Sequence, residues 1–113
     1  MLYTTDKIAT PKLALKWFTE FHENKLVNPA EIILVCGYNR YDGLNYDFTN
    51  FRFHRDYVER MNQIIVKGKY KNYPVTITLI IENLQNRILI DSDNVEVEQK
   101  LSKKLKLKKL YES

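Results

Sequence analysis

The sequence predicts a single α+β domain: an antiparallel β-sheet of about four to five strands, an N-terminal helix packed on one face, and a basic C-terminal helix. Three observations lead there. Apolar residues recur at helical spacing between Leu13 and Phe21, several β-rich runs between Ile64 and Ile90 are joined by very short connections, and six lysines crowd the last stretch of chain. Helices grouped against one antiparallel sheet are a standard way to bury one apolar face of each.

The first element begins at Thr10-Pro11, where a hydroxyl can cap free backbone amides and proline occupies the first helical position without losing a needed donor. Leu13, Ala14, Trp17, Phe18 and Phe21 then give one strongly apolar face. Lys12, Lys16, Glu20 and Glu23 fall mainly opposite, and Asn24 with Asn28-Pro29 marks the stop. The run Ile32–Cys36 follows, bounded by Pro29 and Gly37, and predicts a central strand covered on both faces.

From Tyr38 to Tyr57 the chain carries seven aromatics: Tyr38, Tyr41, Tyr46, Phe48, Phe51, Phe53 and Tyr57. Asp42-Gly43 is suited to a tight hairpin turn, and the alternation of Leu44, Tyr46 and Phe48, then of Phe51 and Phe53, predicts two extended pieces or one bulged strand. Residues 55–63 fit either a short helix begun at Asp56 or the start of the next strand. Ile64–Val66, Val75–Ile81 and Ile88–Ile90 then read as strands separated by Lys71–Pro74 and Asn83–Asn86. Connections this short imply antiparallel neighbours, hence a meander.

The final element is a basic helix over 94–111, with Asp93 as cap and Glu96 placed to reach back to it. Val97, Leu101, Leu105, Leu107 and Tyr111 share a broad face, yet Lys104 and Lys108 fall within it. Lysine stems can lie on apolar surface while the ammonium stays wet, which makes such a helix tolerable. The alternation at Val95 and Val97 also allows a short strand.

Length and charge set the bounds on function. The chain has 113 residues, 44% of them hydrophobic and 28% charged, which suits one domain, residues 1–113, able to bury a core without metal or disulfide. Its lone cysteine, Cys36, has no partner for an internal disulfide, and no apolar run is long enough to span a bilayer or serve as a leader. The expectation is a reduced, cytoplasmic protein with no membrane association. The net charge of +4 is unevenly placed: residues 1–93 hold 12 Lys+Arg against 11 Asp+Glu, whereas residues 94–113 hold six lysines against three glutamates.

Catalytic chemistry finds little to build on. A nucleophile would require Cys36 beside His22 or His54, but a cysteine ending an aliphatic run is ordinarily a small buried hydrophobe. Those three residues are also the only soft or imidazole ligands, with no pair at metal spacing, so no metal and no cofactor are expected. His54-Arg55-Asp56 has the letters of the kinase catalytic triplet without the glycine-rich loop or the metal-binding motif that give it meaning. Gly37, Gly43 and Gly68 lie too far apart to form a phosphate loop. No catalytic residue is assigned.

Two features remain. Lys100, Lys103, Lys104, Lys106, Lys108 and Lys109 place six ammonium groups in ten positions with no acid between them, a density that attracts phosphate backbone or an acidic protein surface. Lysine without arginine favours charge attraction over base reading; the competing account is a solvated helix that keeps the protein soluble. The second feature is the aromatic segment, where Tyr38, Tyr41 and Tyr46 with Arg40, Arg52 and Arg55 could stack bases or anchor a protein interface, while Phe48, Phe51 and Phe53 fill a core against Trp17 and Phe21. The function expected is that of a small non-enzymatic binding protein acting on nucleic acid or a nucleic-acid-handling complex. The alternative is a protein-binding regulator or inhibitor, of the kind a phage or mobile element encodes, using the tyrosines. Either permits a homo-oligomer.

Overall fold

The computed structural model describes residues 2–4, 16, 19, 27–45, 60–82 and 85–109. The described chain is mostly sheet. Its strands are β1 (Leu2–Thr4), β2 (Asn28–Cys36), β3 (Asn39–Asp42), β4 (Met61–Tyr70), β5 (Tyr73–Glu82), β6 (Gln85–Asp91) and β7 (Lys108–Lys109); a helix, α1, covers Val95–Lys104, and Lys16, Thr19 and Arg60 are also helical. All seven join one sheet in the order β3-β2-β4-β5-β6-β1-β7. Six of them have three residues or more, and β7 adds two. Every hydrogen-bonded pair is antiparallel.

This corrects the expected architecture of an N-terminal helix on four to five strands. The sheet is larger because both ends of the described chain enter it: β1 pairs with β6 on one side and β7 on the other. The segment read as an N-terminal helix lies outside the described residues apart from Lys16 and Thr19, both of which are helical, and the aromatic stretch from Tyr46 to Tyr57 lies outside them altogether. Of the stretch left open between helix and strand, Arg60 is helical and Met61 to Gln63 belong to β4.

The hairpins follow from backbone requirements. Cys36 pairs with Asn39, so the β2–β3 turn is Gly37-Tyr38, with φ of 65° at the glycine, the glycine-first pattern of a type II′ turn. The turn expected at Asp42-Gly43 is therefore displaced, and Asp42 instead ends β3. Its carboxylate accepts from the Leu44 amide at 2.9 Å and from Asn45 Nδ2 at 2.7 Å, turning the chain away, and these bonds lower its pKa, the Asn45 contact most. Gly43 is used for close approach: a Cβ there would stand 2.7 Å from Ile32 Cγ2. Between β4 and β5, Lys71 and Asn72 have φ of 46° and 72°, the two positive values of a type I′ turn. That leaves Tyr73 and Pro74 inside β5.

One face of the sheet carries the core. Across the strands run two rows, Ile32, Val66, Ile77 and Ile90, then Leu34, Ile64, Leu79, Ile88 and Tyr3, all buried. Val97 and Leu101 of α1 and its C-cap Leu105 join the same cluster. At roughly 25 cal/mol per Å² of apolar surface removed from water, these aliphatic rows are the main source of stability. The alternate residues Ile33, Ile65, Thr78 and Ile80 are half-buried on the other face, and Leu89 is exposed there.

The C-terminal helix is shorter than the predicted 94–111. Asn94, not Asp93, is the cap, with Oδ1 accepting from the Glu96 amide at 2.9 Å and from Val97 at 3.4 Å. The helix closes at Leu105 in a Schellman arrangement: the Leu107 amide donates to Ser102 O at 2.9 Å and the Lys106 amide to Lys103 O at 3.1 Å, with Lys106 at φ 57°. A physical reason is visible in the spacing. One more helical turn would carry Lys108 onto the face of Val97 and Leu101, whereas stopping here delivers it to a strand where it is exposed.

Candidate functional site

The lysine-rich stretch is divided among three kinds of backbone. Lys100, Lys103 and Lys104 lie at i, i+3 and i+4 on α1, so they form one strip, and all three are exposed. Lys106 is exposed in the turn, and Lys108 and Lys109 make up β7, with Lys108 exposed. Glu96 and Glu98 occupy the first turn of α1 and Lys103 and Lys104 the last, which complements the helix dipole and separates the charges along its length. Lys104 Nζ stands 5.5 Å from the centre of the Tyr70 ring, so this lysine lays its stem on an aromatic surface.

The aromatic reading separates into parts. Tyr38 is fully exposed at the β2–β3 turn and Arg40 is exposed beside it. Tyr41, opposite Leu34, instead turns toward the core and packs against it. Tyr46, Arg52 and Arg55 lie outside the described residues, as do His22, His54 and the phenylalanines assigned to the core. Tyr38 and Lys108 are not brought together: β3 and β7 are opposite edges of the sheet, six strand spacings or roughly 29 Å apart along it. Among the described residues, the lysines of α1 and β7 and the pair Tyr38 and Arg40 thus lie on two surfaces.

Cys36 sits at the inner end of β2 in the core, 7% exposed. Burial pushes its thiol up, and the charge of Arg60 only partly opposes this. The thiolate needed for nucleophilic chemistry is thereby disfavoured. Among the described residues no group of three or more His, Cys, Asp and Glu is placed to hold a metal ion, and no helix is long and apolar enough to cross a membrane.

A buried polar cluster has no signal in the sequence. Tyr3, Glu98 and Ser102 are all buried, joining β1 to α1. The Tyr3 hydroxyl is hydrogen-bonded to Ser102; burial first and the Glu98 carboxylate second raise its pKa, against that bond. Ser102 Oγ donates to Gln99 O at 2.7 Å. Asn62 is a second such case, the extra residue where Cys36 pairs with Met61 and Val35 with Gln63, and its Oδ1 is buried without a hydrogen bond.

Lys71 also escapes a reading of the sequence: it alternates with Lys67 and Lys69, a pattern that reads as the solvent side of a strand. Its Nζ lies 5.5 Å from the Tyr70 ring centre, the same ring that Lys104 covers. Comparison with known proteins adds no function to this geometry: no protein-family model matches the chain, nor does any curated protein or solved structure.

Proposed function

We propose that this chain is a small non-enzymatic binding protein that contacts nucleic acid, alone or within a nucleic-acid-handling complex, through the phosphate backbone. The observation that carries the reading is the exposure of Lys100, Lys103, Lys104, Lys106 and Lys108 in one short stretch after Glu98, with the three helical lysines in a single strip. Each phosphate neutralised releases condensed counterions, so affinity scales with the number of such lysines and falls with salt. Lysine supplies point charge without the fork geometry that reads a base edge, so the recognition is of backbone and not of sequence. The non-enzymatic part of the reading is supported by the burial of Cys36, and a cytoplasmic setting by a lone cysteine kept as a thiol.

The test is binding of mixed-sequence oligonucleotides as a function of salt. Wild type is expected to bind at about 50 mM salt, with log K falling linearly in log salt, and changing the five lysines to glutamine is expected to flatten that slope by about 0.7–0.9 for each phosphate no longer neutralised. Absence of binding at low salt overturns the reading. A second reading is favoured by one specific observation, the full exposure of Tyr38 with Arg40 at a hairpin tip. Tyr and Arg are the residues that anchor protein interfaces, so this edge suits a protein partner of a regulator or inhibitor. Recovery of a partner that is absent with Tyr38→Ala and kept in the lysine variant would favour it.

A further inference from the structure

Tyr70 ends β4 on the core face and is 4% exposed, while Lys71 opens the turn that follows and Lys104 closes α1. The two lysines are distant in sequence, yet each ammonium stands 5.5 Å from the centre of the same ring. Their charges therefore lie no further apart than twice that distance. A ring face attracts a cation by about 0.5–1 kcal/mol at an exposed site, which offsets part of the repulsion between two like charges held near one another. It also restrains two side chains that would otherwise lose rotamer freedom on binding.

We propose that Lys71 and Lys104, seated on Tyr70, form a preorganised phosphate-binding site that extends the strip of Lys100 and Lys103 onto the β4–β5 hairpin. The ligand is the phosphate backbone of a nucleic acid, and the proposal rests on the nucleic-acid reading above. It adds to the binding surface a residue outside the lysine-rich stretch. It also gives the surface a direction, from the end of α1 toward the β4–β5 turn and away from the hairpin that bears Tyr38.

The deciding measurement is fluorescence anisotropy of a labelled mixed-sequence oligonucleotide across a salt titration, comparing wild type with Lys71→Gln, Lys71→Arg and Lys67→Gln. Lys71 and Lys67 are both exposed, so each change is carried without disturbing the core. Lys71→Gln is expected to lower the salt slope by about 0.7–0.9 and weaken binding roughly five- to tenfold at about 0.1 M salt, the effect of leaving one phosphate without its lysine. Lys71→Arg keeps the charge and is expected to keep the slope. Lys67, paired with Glu31 at 3.8 Å between β2 and β4, is the control and is expected to leave the slope unchanged. A wild-type slope in Lys71→Gln, with wild type binding normally, overturns this proposal alone. Equal weakening in Lys67→Gln also overturns it, because the effect would then belong to net charge. Failure of wild type to bind overturns the nucleic-acid reading, and this site with it.

Discussion

Lys106 holds φ at 57°, a left-handed conformation that costs an L-residue with a Cβ roughly 1–2 kcal/mol and that glycine adopts freely. Glycine loses more chain entropy on folding, so Lys106→Gly is expected to stabilise by only about 0.5–1 kcal/mol, and Lys106→Val to destabilise by more than about 1 kcal/mol. Urea unfolding of the two variants checks the opposed signs. Tyr3 supports a prediction with pH. Its folded-state pKa lies above the ordinary tyrosine value of 10.0, so the native state holds the phenolic proton more tightly than the unfolded chain does. The stabilisation this represents is complete below that value and is lost as pH rises toward the folded value. Wild type should therefore lose stability above pH 10.0 more steeply than Tyr3→Phe, in denaturation curves taken at successive alkaline pH values. The buried Cys36 thiol, also raised, adds the same sign to both proteins and does not disturb the comparison.

At the scale of elements, the start of α1 separates two adjacent residues that sequence alone treats as equals. Asn94 accepts two helix amides, so Asn94→Ala is expected to cost about 1 kcal/mol, whereas Asp93→Ala should stay within about 0.5 kcal/mol, as thermal unfolding of the pair will show. The capping box expected on Asp93 with Glu96 does not form: Asn94 is the cap, and the residue three places on is Val97, which has no acceptor to reach back. What can be read from sequence is what has length and period. Val75, Ile77 and Leu79 alternate with Thr76, Thr78 and Ile80, and the alternation is the inner and outer face of β5. Ile32–Cys36 reads as a central strand, and β2 does lie between β3 and β4. What cannot be read is short or polar. Asn39–Asp42 has the composition of a loop, and Leu2–Thr4 and Lys108–Lys109 have too few residues for any period; these pieces become strands because a neighbour's unpaired backbone groups accept them. The site divides in the same way. The lysines are legible as a charge run, but that Lys71 meets Lys104 on Tyr70 depends on α1 lying against the sheet, which no local pattern records.

For the whole molecule, the decisive feature is that the first described strand is held between two of the last. β1 pairs with β6 and β7, and Tyr3, 3% exposed, completes the row that runs through Leu34, Ile64, Leu79 and Ile88. Pairing of segments so far apart in sequence must be reached through large loop closures, so refolding is expected on the millisecond-to-second scale of sheet proteins. The same closure makes β1 either part of one cooperative unit or a flap that opens on its own. Cys36 distinguishes the two, because it lies buried on β2, across β4, β5 and β6 from β1 on the same core face. Truncating a large buried aromatic costs about 3–5 kcal/mol, so if the sheet opens as one unit, Tyr3→Ala should speed native-state labelling of Cys36 by a thiol reagent by at least about 10²-fold. An unchanged labelling rate would mean that β1 detaches while β2 stays closed. We expect the large increase, because the aliphatic rows run without interruption across the sheet and the Tyr3–Ser102 bond ties β1 to the helix that covers them.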